Sequence, residues 1–367
     1  MVIAPHPDDE SLGTGGLLAR AARNGVPVRV VFVTNGENNP WPQRVLERRW
    51  RIDRDDRQRW GLLRRQEALA ALSRLGLGKA SAQFLSLPDQ GGSDGLLQAR
   101  TRDRELLKRA ILSWRPTLLV IPSIQDVHPD HNALSVMIQL ALEGVVSELR
   151  PKILYYLVHE RNGLTAPELN FALSEDERKM KLSAILCHSS QMVLSRKRFT
   201  SYARSGESFF LRELDQPTHP IRGMIWSRGA LCIRLQPRKL PFVQGELWVA
   251  AESPLEGSLR WRVPLTSSSG LAPIRSETDG HVRRCATIRA DADHLVIRLP
   301  SVFLSDAKRV FVKFNRRLSF YDEAGWLEAP PFPESPTLCP DLSRSAISLS
   351  SCSFASSFSG GDLASSG

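Results

Sequence analysis

Apolar and polar positions follow two rhythms along the first half of the chain. Short, nearly continuous apolar runs occur at residues 26–34 (VPVRVVFVT), 117–122 (TLLVIP) and 153–158, with shorter ones at 1–4 and 83–87. Runs of this length, rich in β-branched residues, read as buried strands. Between them, apolar residues recur at three- and four-residue spacing and predict helices over 11–24, 61–75, 102–114 and 134–148. Gly76 and the Arg115-Pro116 pair supply stop signals for two of these. Strands alternating with helices predict βαβ units and a mainly parallel sheet, which places this part in the α/β class.

The rhythm changes near residue 217. From 221 to 326 the chain shows many short strands separated by turns, for example at 231–235, 246–251, 258–263, 294–299 and 309–314. No helical period of comparable length occurs there, so a smaller all-β, sandwich-like domain is expected. From residue 330 the chain is Pro-rich and then Ser-rich, ending SSCSFASSFSGGDLASSG. Such a segment buries too little apolar surface to offset the entropy of ordering, and a disordered tail is expected. The expected domains are therefore 1–217, 218–329 and 330–367. No internal repeat is visible.

Composition narrows the class. Hydrophobic residues make up 42% and charged residues 24% of 367 residues, enough apolar material for a sizeable core. No apolar stretch approaches the ~18–20 residues of a membrane span. The N-terminus lacks the charged region, apolar run and small-residue cleavage site of a secretory signal, so a soluble cytoplasmic protein is expected. Five scattered cysteines without CxxC pairs argue against a disulfide framework or a cysteine zinc knuckle.

The formal charge of +10 points to nucleic acid, an anionic membrane surface or an anionic substrate. The basic residues concentrate in 44–65, including Arg48, Arg49, Arg51, Arg54, Arg57 and Arg59. Glu47, Asp53, Asp55 and Asp56 interleave with them, which fits a solvated helical face. No nucleic-acid motif accompanies the charge, and no nucleic-acid partner is expected. The sequence carries no signal for oligomeric state.

Two loops carry chemistry. The first reads Pro5-His6-Pro7-Asp8-Asp9-Glu10 and the second Asp126-Val127-His128-Pro129-Asp130-His131. Each follows the carboxyl end of a predicted parallel strand, where open α/β sheets place their ligands, so loops far apart in sequence can meet. Together they offer more imidazoles and carboxylates than one metal needs. A hydrolytic zinc usually takes three protein ligands and lowers the pKa of water to about 7. Two histidines and a carboxylate fit that pattern, and they also fit iron in a facial triad. A leftover carboxylate can take the water's proton, and a leftover histidine can stabilise an oxyanion and protonate the leaving amine. One His-Pro-Asp tripeptide alone would read as a turn. Two of them, both after apolar strands, favour a metal site.

The segments APHPDDE and HPDH, in this order and at these strand ends, resemble those of the PIG-L/LmbE-like deacetylases. Further pieces agree: Arg64 and Glu67 in RRQEALAALSRLG, Leu87-Pro88-Asp89 in LSLPDQGG, and KLSAILCHSSQ at 181–191. The resemblance spans about residues 1–210. It implies a Rossmann-like fold, with helices on both faces of the sheet, and zinc-dependent (Zn2+) hydrolysis of N-acetylglucosaminyl-type amides. By motif it implies His6, Asp9 and His131 as zinc ligands and Asp8 as general base. His128 would stabilise the tetrahedral intermediate and serve as acid, and Asp130 would orient a neighbouring imidazole. Arg64 and Asp89 fall where such enzymes contact sugar hydroxyls. As bare residues, Arg64 also reads as a solvated helix arginine, Asp89 as a loop turn residue and His188 as a structural histidine.

The chain departs from the pattern in its very short first strand, its long arginine-rich 38–63 stretch and its β domain. That domain carries no cluster of His, Asp and Glu, so it is expected to supply neither metal ligand nor catalytic acid or base. Its Trp226, Trp248 and Trp261 read as core rather than as sugar platforms. The expected activity is removal of an acetyl group from an N-acetylglucosamine-type sugar in a glycoconjugate or cell-envelope precursor. Hydrolysis of another amide by the same site, and non-catalytic glycan binding, are the alternatives. The spare carboxylate of Asp8 speaks against a mere binder.

Overall fold

The computed structural model describes residues 1–159, 167–211, 219–236, 245–291, 293–316 and 321–333. The expected boundary at Pro217 and the Ser-rich tail both lie outside the described residues.

Five strands, β1 (Val2–Ala4), β2 (Val30–Thr34), β3 (Ala82–Leu87), β4 (Leu118–Pro122) and β5 (Lys152–Tyr156), form one parallel sheet in the order β3-β2-β1-β4-β5. Three-residue β1 is therefore the central strand, paired with both β2 and β4. Alternate side chains along these strands enter two different cores, as the two-residue period of a strand requires. Ile3, Val31, Leu119 and Ile121 face one way, while Val2, Val30, Phe32 and Val120 face the other.

Helices α1 (Asp9–Arg23), α2 (Pro40–Glu47), α3 (Arg54–Arg74), α4 (Gly92–Leu97), α5 (Thr101–Trp114), α6 (Pro129–Ala141) and α7 (Glu175–Cys187) connect and flank the strands. Leu18, Leu72 and Ile185 from α1, α3 and α7 cover one face of the sheet. Leu96, Ile111 and Val136 from α4, α5 and α6 cover the other. The layers are those of a doubly wound α/β fold.

Helix boundaries differ from the periodic reading where capping chemistry outweighs periodicity. Helix α3 starts at Arg54 rather than 61, because Asp53 and Asp56 form a reciprocal capping box. Helix α6 starts at Pro129, the preferred first-turn position for proline, with His128 as its N-cap, and it ends at Ala141 rather than 148. Helix α7 escaped the periodic reading because its buried side includes Glu177 and Lys181, which are paired rather than apolar. Glu177 binds Arg20 at 2.6 Å, and Lys181 binds Glu207 at 2.6 Å.

A short antiparallel pair, β6 (Leu169–Ala172) and β7 (Gly206–Phe209), follows. The remaining strands are β8 (Ile221–Ser227), β9 (Ala230–Leu235), β10 (Gly245–Ser253), β11 (Gly257–Leu265), β12 (Gly270–Ser276), β13 (Val282–Ala290), β14 (Leu295–Pro300), β15 (Val310–Asn315) and β16 (Leu327–Glu328). They form a single antiparallel sheet in the order β16-β15-β10-β11-β12-β13-β14-β9-β8. It curls over itself, so Ile221 and Leu231 near one edge share a buried cluster with Val312 and Phe314 near the other. Among the described residues of this region only a 3-10 turn, Ser301–Phe303, is helical. Trp226, Trp248 and Trp261 are buried, as expected.

Strand β10 is apolar on both faces. Leu247, Val249 and Ala251 enter the core of the curled sheet, while Trp248 and Ala250 pack with Val136 and Leu140 of α6. Phe311 and Trp326 join the same cluster, and residues 1–332 form one compact unit.

Candidate metal and hydrolytic site

Strand order explains why the two His/Asp loops meet. The chain leaves β1 for β2 on one side and β4 for β5 on the other, so the topological switch point lies between β1 and β4. The loops after these two strands are the ones that carry His6 to Asp9 and Asp126 to His131.

Each imidazole of the centre is oriented by a second carboxylate. His131 Nδ1 lies 3.1 Å from Asp126 Oδ2, with neither side chain exposed. His6 Nε2 lies 3.2 Å from both Asp130 Oδ2 and Asp89 Oδ1. In a neutral ring these contacts commit the single N–H, leaving a lone pair on the opposite nitrogen. Both lone pairs face one atom: Asp9 Oδ2 is 3.2 Å from His6 Nδ1 and 3.1 Å from His131 Nε2. His131 Nε2 is buried without a hydrogen-bond partner, despite that proximity.

With both rings neutral, three acceptors would meet here, an arrangement that a cation would satisfy. Ligand atoms on a tetrahedral zinc with ~2.0–2.2 Å bonds stand roughly 3.4 Å apart, close to the spacing here. The donor set fits the group. The surroundings favour positive charge at this point: burial alone would lower the His131 pKa, but the Asp9 and Asp126 carboxylates outweigh it and push it up to about 10. Burial would raise Asp9, yet His131 and His6 hold it well below the usual carboxylate range. Ligand-type atoms of His6, His128 and His131 also fall within 4.8 Å of one another, as do those of Asp9, His131 and His159. Those of His6, Asp89 and Asp130 form a third such group, and His6 and His131 share contacts of 3.2 and 3.1 Å with Asp9 Oδ2.

Asp8 occupies the N-cap position of α1 but does not cap it. Its φ is +151°, a conformation side-chain-bearing residues rarely adopt and one that costs about 1–3 kcal/mol. The backbone is held there by its own N–H, which donates to Glu10 Oε2 at 2.9 Å. The freed carboxylate lies 3.0 Å from Arg64 Nη2 and lines a cleft of about 160 Å³ with His6, Asp9 and His128. Burial pushes the Asp8 carboxyl up to about 6, with Arg64 pulling the other way.

Arg64 is buried rather than solvated. It donates to Gly36 O and Pro7 O at 2.8 Å each, tying the loops after β2 and β1 together beneath the cleft. Gly36 has φ +65°, and a Cβ there would collide with the guanidinium. Asp89 also lines the cleft and accepts from Asn38 N at 2.6 Å. Asp130 accepts from Gln90 N and Gly92 N at 2.8 and 2.9 Å, which anchors the loop after β3 to α6. His188 is buried away from the cleft, its Nε2 3.0 Å from Glu10 Oε1.

His128 Nδ1 accepts from Asp130 N at 3.2 Å, which places the ring proton on Nε2. Burial, and then the neighbouring His131, His6 and His159, hold its pKa well below the usual value, so it is a neutral donor.

Several contributors lie outside the two motifs. His159 stands with its ring centroid 5.1 Å from His131 and 5.3 Å from His128. Burial lowers its pKa to about 4, and Arg198 Nη2 lies 3.2 Å from its Nδ1. It follows β5, so the strand-end rule that exposed the first two loops applies to it as well. Asp126 stood within the quoted loop without a role. Tyr202 and Tyr321 close the cleft, and Tyr321 comes from beyond residue 217. The Tyr321 ring lies tilted with its centroid 5.4 Å from that of His159, and its neighbour Asp322 donates its backbone N–H to Val127 O at 2.9 Å. Among the described residues, no metal-ligand group draws on the β region. A second hollow of about 470 Å³ shares Leu12, His159, Arg198, Tyr202 and Tyr321 with the cleft.

Residues 1–142 match the family model described as PIG-L: GlcNAc-PI de-N-acetylase. This segment is similar to PIG-L domains. The chain is 31% identical over 188 residues to 1D-myo-inositol 2-acetamido-2-deoxy-alpha-D-glucopyranoside deacetylase of Rhodococcus jostii (strain RHA1), covering 45% of this chain and 62% of that one. It is 27% identical over 201 residues to probable N-acetyl-alpha-D-glucosaminyl L-malate deacetylase 2 of Bacillus subtilis (strain 168), covering 52% and 82%. The chain thus spans about three fifths of the length of the first of these relatives. Among solved structures, N,N'-diacetylchitobiose deacetylase from Pyrococcus horikoshii aligns at 22% identity and a TM-score of 0.42, covering 57% of this chain and 81% of that one. No described helix is long and apolar enough to cross a membrane.

Proposed function

We propose that the chain is a zinc-dependent hydrolase that removes the acetyl group from an N-acetylglucosamine-type sugar in a glycoconjugate or cell-envelope precursor. One observation carries the reading. Two imidazole nitrogens and one carboxylate oxygen meet at His6, Asp9 and His131, with the carboxylate of Asp8, paired to Arg64, beside them. The match of residues 1–142 to a de-N-acetylase family, and relatives named as deacetylases of acetamido sugars, support the same chemistry. Thiols rather than disulfides at Cys187 and Cys285 support a cytoplasmic setting.

Zinc held by His6, Asp9 and His131 would supply Lewis acidity toward the amide carbonyl and acidify water. The chain's own groups perform the rest. Asp8 accepts the proton of the attacking water, and its raised pKa lets it surrender that proton to the departing amine. Arg64 holds the Asp8 carboxylate toward the cleft. His128 donates its Nε2–H to the oxygen on which negative charge develops, and as a neutral donor it needs no prior protonation. Asp126 and Asp130 fix the His131 and His6 rings so that neither reorients during the reaction. Asp89 meets sugar hydroxyls at the cleft mouth.

Zinc-loaded full chain, offered N-acetylglucosamine derivatives, should release free amine. A His131→Ala variant should lose both bound zinc and turnover. Absence of amine release from every N-acetylated sugar, by protein that retains zinc, would refute the deacetylase reading.

A further inference from the structure

The arginine-rich stretch that precedes α3 exposes aromatic and aliphatic side chains together. Trp41 is 56% exposed and Trp50 is 74% exposed, and Val45 and Leu46 beside them are about as open to solvent. Large apolar groups clustered this way on a surface mark an interaction site. Their arrangement is ordered. The Arg44 guanidinium lies 4.9 Å from both indole rings, and its Nε donates to Trp50 O at 2.9 Å. The opposite side of α2 is buried, and Asn39 and Pro42 line the hydrolytic cleft. The patch therefore flanks the mouth of the site on the same short element.

Charge identifies the occupant. Residues 41–60 hold seven arginines against four carboxylates. Two of those carboxylates are already taken: Glu47 binds Arg59 at 2.7 Å, and Asp56 binds Arg49 and Arg59 at 2.5 and 2.8 Å. Arg48, Arg51, Arg54 and Arg57 point their charge to solvent. Exposed indoles that sit among aliphatic residues and are ringed by arginines match the interfacial layer of an anionic bilayer, where tryptophan rings bury at headgroup depth and guanidinium groups meet lipid phosphates. A sugar platform would instead leave the rings free for stacking, whereas here the Arg44 guanidinium lies over both.

We infer that residues 41–50 dock this protein peripherally on an anionic lipid surface, with the cleft opening toward the headgroup layer. The docking holds whichever amide the cleft cleaves.

Cosedimentation of the full chain with vesicles tests it. Binding to phosphatidylcholine mixed with phosphatidylglycerol (about 3:1) should exceed binding to phosphatidylcholine alone and should weaken with salt. A Trp41→Ala/Trp50→Ala double variant should lose about tenfold in partitioning, since both side chains leave the interface. A separate Arg48→Glu/Arg51→Glu/Arg54→Glu variant should lose the preference for anionic vesicles. Unchanged thermal melting would show that both variants are folded. Equal binding to neutral and anionic vesicles, undiminished partitioning of the tryptophan variant, or no vesicle binding by the wild-type chain would each overturn the inference. So would tryptophan-dependent binding of soluble N-acetylglucosamine oligomers without vesicle binding.

Discussion

Arg64 and Asp8 form a 3.0 Å ion pair at the floor of the cleft, and Arg64 spends its remaining Nη bonds on the carbonyls of Gly36 and Pro7. The guanidinium is thus a brace for the carboxylate as much as a partner. Asp8→Asn removes the proposed proton acceptor but keeps the shape of the side chain. It is expected to lower kcat by roughly 10²-fold or more, as loss of a general base does. Metal content measured by elemental analysis should stay at the wild-type level. Turnover within a few-fold of wild type would assign the proton to another group.

His159 presents a neutral ring beside His128, with Nδ1 turned to Arg198. The contact with Arg198 leaves the ring proton on Nε2, and the ring lines the cleft. His159→Ala is expected to reduce kcat by about 10²-fold, the usual scale for one oxyanion donor, with metal retained. His159→Gln should recover part of the loss, because an amide N–H can replace the donor. A change confined to KM would make His159 a substrate contact instead.

Trp326 is fully buried in the cluster shared by α6 and β10, and its backbone N–H donates to Ile124 O at 2.7 Å. Trp326→Ala is expected to destabilise the chain by about 3–5 kcal/mol. Bound metal should become easier to strip with a chelator, since the loop between β4 and α6 loses a support. For the same reason, truncation near residue 217 should give aggregated protein rather than a folded, zinc-binding fragment. Denaturant melts and chelator titrations of the point variant check both effects.

Burial raises the Glu143 pKa to about 7, and its Oε2 has no hydrogen-bond partner. An unfolded glutamate titrates near 4.3, so folding favours the protonated form. The associated penalty is absent below that value and grows as pH rises toward 7. Glu143→Gln should therefore raise Tm at pH 8 and leave it unchanged at pH 4. Identical shifts at both pH values would show that packing, not ionisation, sets the difference.

The two-residue and three-to-four-residue rhythms gave away β2 to β5 and most of α1, α3 and α5, because those elements pack one-sidedly or are wholly apolar. Capping residues fixed the true starts of α3 and α6, and they act over only three or four positions, below the reach of a periodicity. Helix α7 stayed hidden because buried Glu177 and Lys181 break its apolar stripe. In the site, the meeting of the two loops was legible because their His and Asp residues are adjacent in sequence. His159 was not, since it stands alone after β5, although the strand-end rule pointed to it. Tyr321 had no local signal at all. Its place depends on how a segment beyond residue 300 lies against Val127, which no window of sequence contains.

The backbone bonds from Trp326 to Ile124 and from Asp322 to Val127 join positions about two hundred residues apart. Gly325 sits so close to Ile124 O that a side chain there would collide with it. Contacts of such sequence separation form late in folding, because the loop-closure entropy precedes the reward. The loop that bears His128 and His131 is therefore expected to reach its final shape only after the distant segment has docked. On the ribosome, the N-terminal α/β strands emerge well before that happens, and the cleft with Tyr321 in its wall waits on the distant segment.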